Sequence, residues 1–428
     1  MCRNYYVSSK HGKYGNSGLS PEEAFDTLDA VNELTLLPGD KVLLECGSVF
    51  ENQYLHLSGR GTKEHPVFIG KYGQGALPVI NCNGCGIWFQ DYGRALDSPT
   101  HVWRGEVSSA VLLKDVSHLV LSDLEITNQG GGKEKESYNN AYKRDRTGVA
   151  VVAQNAGTLQ NITLRNLCIH DVEGNVYNKH MNNGGIYVTA LQPDDEERTG
   201  VARYEDFMIE GCFVFRVCRW GIAVGYSYQH AKFQDCLLPD ELFFKYGHEN
   251  LCIRNNYVKA AGGDGITTMY ALRPCVEHNI VDEAAGQMNA RIYSEPMDRG
   301  GMLAAAIWPW KCKDALFRFN EAADTRLNQD GMAYNADSGD GTVYEYNYSR
   351  LNEGGCVMFC LEQAVHSRFC HNISEDDLGG TLTPVENPDA YIGYNTFYVR
   401  DNVPLIRREI KVGNYKLEGN CFHKINAY

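Results

Sequence analysis

Long apolar runs are missing from this 428-residue chain. Nothing in it approaches the ~18 consecutive apolar residues of a membrane-spanning helix, so none is expected. Positive charge is also short: 40 Lys and Arg stand against 54 Asp and Glu, a net charge of −14. That balance argues against nucleic acid or an anionic membrane as a partner. Helical periodicity is scarce, whereas Gly (43) and Tyr (26) are plentiful, which favours an all-β class. Cysteine is present, but metal-site spacing is not. Cys82 and Cys85 stand at CxxC spacing with no second pair at zinc-site distance. Cys168, Cys212, Cys252, Cys356, Cys360 and Cys370 sit inside apolar runs and read as small buried hydrophobes. No tight Asp/Glu calcium cluster stands out, so neither a cofactor nor a metal is expected. Free thiols fit a reducing compartment. Met1 to Val7 lacks the apolar core of a secretory signal. The expectation is a cytoplasmic chain, with a trimmed signal as the alternative.

What the chain does have is a drifting repeat. Short β-type runs return roughly every 23–27 residues in the C-terminal half, each with an Asn after an apolar or aromatic pair. The series runs through Asn256, Asn279, Asn320, Asn347, Asn372, Asn395 and Asn420. Strands and turns at that period, without helices, indicate a stacked solenoid. Each coil cannot bury its apolar face alone, so coils stack about 4.8 Å apart. The Asn positions are then expected to form a buried side-chain ladder.

Residues 1–70 read as an entry segment capping the solenoid. Ser20, Pro21 and Glu23 form a capping signature for a short helix. Residues 71–428 read as the solenoid itself. A second strand family follows glycines: Gly185-Ile186, Gly221-Ile222, Gly265-Ile266, Gly331-Met332 and Gly355-Cys356. Here glycine is expected to make the turn. Long polar stretches interrupt the repeat near 128–147, 171–184, 191–205, 226–249 and 286–302. Such loops are usually functional and should form the walls of one cleft.

Two sets of residues carry a resemblance. Tyr5-Tyr6-Val7-Ser8-Ser9, Gly18-Leu19-Ser20-Pro21 and Pro38-Gly39-Asp40 resemble the N-terminal cap of right-handed parallel β-helix proteins of the pectate-lyase-like superfamily. Ala306 to Asn320, Gln329 to Asp337 and Tyr346 to Gly355 are similar to its glycoside hydrolase branch, which includes β-xylosidase-like and fucosidase-like enzymes. The resemblance implies an all-β, single-stranded right-handed parallel β-helix with an N-terminal cap. It also implies a glycosidase with acidic residues on neighbouring coils. Many chemistries share that fold.

Asp264, Asp330 and Glu353 each precede a Gly-initiated strand. Aligning Ile266, Met332 and Cys356 as equivalent inward positions matches Asp264 with Asp330 and offsets Glu353 by one residue. Asp330 and Glu353 are one coil apart, which puts two carboxyls about 5–6 Å from each other, near the separation of a retaining glycosidase. Two coils would open about 9–10 Å and suit inversion. Alternation from Met332 sends Ala333, Asn335 and Asp337 outward to the cleft. The expected catalytic set is therefore Asp330 and Glu353, with Asp337 assisting and Asp264 in reserve. Asp–Gly pairs also serve as plain turn residues. Trp308, Trp310, Tyr270, Tyr187 and Trp220 are candidate sugar-stacking rings, with Asn335 and Arg291 as polar contacts. Arg219, Arg326, Lys311 and His366 are more often solvated or paired at such positions.

Three functions compete at this point. The first is a glycoside hydrolase on an oligosaccharide, working through two carboxylates. The second is a polysaccharide lyase or uronate epimerase, which needs a cation at the uronate and a Lys, Arg, His or Tyr base. The third is a non-catalytic carbohydrate-binding β-helix. A monomer or a trimer is expected.

Overall fold

A computed structural model describes residues 2–98, 101–130, 143–288, 303–327, 329–407 and 414–426. The chain winds as a right-handed parallel β-helix. Three sheets of 14, 12 and 12 strands run its length among the described residues. One coil shows the plan: Leu316–Arg318 lies in the first sheet, Glu321–Ala323 in the second and Met332–Asp337 in the third. Neighbouring coils pair in parallel. Among the described residues, the one antiparallel pair of strands joins Ile87–Asp91 to Arg104–Lys114. The coils extend upstream of residue 70, since Asn4–Val7 pairs with Lys41–Glu45, which pairs with Val67–Tyr72. Ser20 caps the short turn Pro21–Glu23, accepting from Glu23 N.

The corner between the first and second sheets explains the Asn signal. Each ladder Asn accepts through Oδ1 from the Nδ2 of the preceding one. The rungs from Asn256 through Asn279, Asn320, Asn347, Asn372 and Asn395 to Asn420 span 2.9–3.1 Å. The same Oδ1 also accepts the backbone N–H of the preceding Asn. The residue before each Asn takes a left-handed conformation to turn the corner, as at His278, Phe319, Tyr346, His371 and Tyr394, with φ of 54–58°. Asn at the next position satisfies the backbone groups that this corner strands. Those five side chains stack outside the helix with ring centroids 4.9–5.5 Å apart.

Two expectations are corrected by the third sheet. Its register places Ile266 opposite Ile307, Ile307 opposite Tyr334 and Tyr334 opposite Val357. Met332 and Cys356 are therefore not equivalent to Ile266, because the bends entering these strands differ in length. Ile266–Met269 and Met332–Asp337 are two coils apart, with Ile307–Trp310 between them. Gly185 and Gly221 lie within strands rather than in a turn, and Gly265, at the bend entering Ile266–Met269, is not left-handed. Each lies against the next coil, where a Cβ would meet the carbonyl oxygen of Gly221, Gly265 or Ala306 at 2.4–2.6 Å. Close approach of backbones, not a left-handed φ, demands glycine there.

Candidate active site

The outer face of the third sheet floors a cleft. Inward residues such as Ile307 and Tyr334 join the core, so their neighbours face out. Cross-coil pairing then builds rows. One row sets Met269 beside Trp310, Trp310 beside Asp337, Asp337 beside Cys360 and Cys360 beside Val385. The next sets Thr267 beside Trp308, and Asn335 beside Met358. The expected outward placement of Asn335 and Asp337 holds.

The cleft has two lobes. The first encloses about 220 Å³ between Asp264, Asp330, Asn335, Asp337, Trp308 and Lys179, with Leu303, Met358 and Leu361 supplying apolar wall. The second encloses about 280 Å³ between Asp97, His230, Gln234, Trp310, Lys311 and Gln363. Lys179, Leu303, Trp308, Asp337 and Leu361 border both, so the lobes meet at Asp337. The walls come from the anticipated 171–184 and 226–249 stretches and from the segment around Asp97. Most of 128–147 and of 286–302 lies outside the described residues, as does Arg291.

The acidic candidates have different surroundings. Asp330 is half-buried, two residues before the strand Met332–Asp337. Gly331 reverses the chain there with φ +78°. Asp337 ends the same strand and accepts from Ser338 Oγ at 2.7 Å. Burial raises its carboxyl above the usual carboxylate range, and Ser338, Lys179, Lys311 and Asn335 only partly offset this. Asn335 is buried, and its Oδ1 has no hydrogen-bond partner among the described residues.

Asp264 is fully buried and engaged. Oδ2 accepts from Arg219 at 2.7 Å, and Oδ1 from Trp308 Nε1 at 2.9 Å and Ala305 N at 3.0 Å. It borders the first lobe but is committed to holding Trp308 and the 303–305 segment. Arg219, equally buried, also donates to Leu303 O and Val176 O. Glu353 does not border the cleft. It pairs with Arg326 at 3.2 Å and accepts from Leu327 N at 2.6 Å. One coil on, it therefore holds Arg326 and Leu327, upstream of Asp330.

Three of the candidate stacking rings lie too deep to meet a sugar. Tyr187, Trp220 and Tyr270 have no exposed surface, because the loops cover the outer face of the third sheet at those coils. They brace the walls instead. Tyr187 Oη and Trp220 Nε1 both donate to Lys179 O at 3.1 Å, and Tyr270 Oη lies 2.9 Å from His230 Nδ1. Trp308 and Trp310 do border the cleft. Lys311 lies 5.8 Å from the Trp310 ring and donates to Phe233 O and Gln363 Oε1. Lys179, His230 and Asp97 are cleft residues that the sequence did not single out. Lys179 lay within a stretch already marked as a wall, while Asp97 carried no local signal.

A parallel β-helix whose outer face carries carboxyls and tryptophans in one cleft belongs to the carbohydrate-active class of that fold. No protein-family profile matches the sequence. The crystal structures of GH136 lacto-N-biosidase from Eubacterium ramulus, native and selenomethionine, superpose on the chain with a TM-score of 0.96. They share 59% identity with it, over 99% of this chain and 68% of theirs. A lacto-N-biosidase of Bifidobacterium longum subsp. longum is 42% identical over 467 residues. That match takes in 99% of this chain but 29% of the relative, so the chain spans under a third of that protein's length. The chain belongs to the GH136 lacto-N-biosidase family.

Proposed function

We propose that the chain carries the catalytic β-helix of a glycosidase of the lacto-N-biosidase kind, acting on an oligosaccharide. One observation supports this reading most. Asp330 and Asp337 border a single cavity, and the Asp337 carboxyl is held above its ordinary range. Glycoside hydrolysis needs one carboxyl that keeps its proton and one that does not. In this reading Asp337, at the junction of the lobes, protonates the leaving glycosidic oxygen. Asp330, bordering the same cavity, attacks the anomeric carbon or activates water. Glu353 holds Arg326 and Leu327 ahead of Asp330, and Asp264 positions Trp308. Asn335 Oδ1 accepts a substrate O–H or N–H. Trp308 and Trp310 offer faces to the apolar sides of the sugar rings. The two lobes together fall within the ~300–1,000 Å³ of small-molecule sites.

The test is kinetic. Asp330→Asn and Asp337→Asn are each expected to lower kcat on an oligosaccharide by about 10²–10⁴-fold with KM little changed. With an aryl leaving group of low pKa, Asp337→Asn loses less, because little protonation is needed. Full activity in both variants refutes the assignment. We also infer a reducing compartment, since no disulfide joins any two cysteines among the described residues. Among the described residues no helix is long and apolar enough to cross a membrane. Thiol titration of denatured, unreduced protein is expected to count close to fifteen thiols.

A further inference from the structure

The far wall of the second lobe holds a cluster that the glycosidase reading leaves unused. Asp97 Oδ1 stands 2.8 Å from His101 Nδ1 and 2.8 Å from His180 Nε2. The two imidazoles meet edge-on, with ring centroids 4.7 Å apart and planes at 89°. One donor atom from each of the three residues lies within 4.8 Å of the others.

His180 is the informative member. It has no exposed surface, its Nδ1 has no hydrogen-bond partner among the described residues, and its Nε2 has only the Asp97 carboxylate beside it. Its approach to Asp97 has the length of a hydrogen bond but not the direction. Buried polar nitrogens left in that state are rare and call for an explanation. Tyr226 and Tyr92 pack around the ring, with centroids 5.1 and 6.5 Å away, and fix its plane. Gln90 Nε2 donates to His180 O at 2.8 Å and fixes its backbone.

Two ligands of one cation approach each other off-axis in the same way. With metal–ligand bonds of about 2.0–2.1 Å, donors at right angles stand about 2.9 Å apart and tetrahedral donors about 3.4 Å. We propose that Asp97, His101 and His180 bind a divalent transition-metal cation, with zinc preferred. Two imidazoles and one carboxylate form a borderline-soft set that suits zinc and its neighbours. Calcium and magnesium call for a shell of oxygens, which this set does not supply. Three protein ligands leave at least one coordination position open, and Asp97 borders the second lobe, so that position faces the cleft. The ion joins the segment around Asp97 and His101 to the 175–183 stretch, which also carries Lys179. It thereby fixes one wall of the cleft. The sequence concealed the site because its ligands come from two distant segments and match no short motif.

The experiment uses the whole chain, stripped with chelator and returned to metal-free buffer. It is then equilibrated with zinc, cobalt, manganese or calcium, one at a time. Elemental analysis after gel filtration is expected to find about one zinc per wild-type chain, and a small fraction of that in Asp97→Asn and His180→Gln. The wild-type melting temperature rises with zinc and not with calcium. The cobalt-loaded protein shows visible ligand-field bands without a thiolate charge-transfer band, which separates this site from Cys82 and Cys85. Wild-type protein that retains no zinc overturns the proposal, whatever the variants do. So does zinc retained equally by both variants, or a thiolate band in the cobalt protein.

Discussion

Asp264 is the sharpest place to separate chemistry from architecture, because it borders the cleft yet is committed to other groups. Asp264→Asn keeps an oxygen for Trp308 Nε1 and Ala305 N but puts an amide against the Arg219 guanidinium. One charge-assisted hydrogen bond of 2.7 Å is lost, and a fully buried cation loses its counter-charge. Breaking one side of a buried ion pair costs about 3–5 kcal/mol. Asp264→Ala adds two stranded donors, at about 1–3 kcal/mol each. Replacing both partners by apolar residues of similar size, as in Arg219→Met with Asp264→Leu, is expected to cost less than Asp264→Asn alone. The assay is a urea titration of each variant, read by tryptophan fluorescence and far-ultraviolet circular dichroism, with kcat normalised to folded protein. Asp264→Asn should unfold at clearly lower urea while its folded fraction keeps kcat within about tenfold of wild type. A variant as stable as wild type whose kcat falls as far as that of Asp330→Asn would refute the reasoning and make Asp264 a reacting group.

Other outcomes follow from the same structure. Asp337 titrates higher in the fold than in the unfolded chain. Between those two values the unfolded state releases its proton first. Stability is thus highest below the unfolded value and falls as pH rises to the folded one. Asp337→Asn should flatten that slope in urea titrations at several pH values, and should remove the basic limb of the pH profile of kcat/KM. Asn347→Ala strands Asn320 N and Phe317 O inside the corner and leaves Asn372 Oδ1 only the backbone N–H of residue 347. At about 1–3 kcal/mol for each unsatisfied group, it should destabilise far more than Tyr346→Ala one residue earlier. Comparable midpoints for the two variants would show that the ladder contributes little.

The sequence made the repeat legible because from Asn256 to Asn420 the corner pairs a left-handed residue with a following Asn, and that demand is local. Alternation likewise predicted the outward side chains of Met332–Asp337, since one face of that strand meets the core. The pattern failed where both faces are covered. Gly184–Ala190 and Trp220–Ser227 are buried at every residue, so Tyr187 and Trp220 gave no sign of which side they took. Register between Ile266 and Tyr334 depends on how many residues each bend consumes, and apolar spacing carries no such count. Glu353 resembled a catalytic acid because it stands one coil from Asp330. Its role as a clamp rests on Arg326 and Leu327 N, contacts that no spacing encodes. Asp97 and His180 meet only because the chain has wound between them.

The third sheet also works as a ruler. Each coil moves the floor of the cleft along the helix axis by about 4.8 Å, close to the length of one sugar unit in an extended chain. From Ile266–Met269 to Leu382–Val385 the floor advances four such steps. A saccharide lying along the axis would meet a fresh pair of outward side chains at each unit, and one lying across it would meet a single row. Specificity on this scaffold can therefore change one row at a time, while the Asn corner between the other two sheets keeps the spacing of the rows constant.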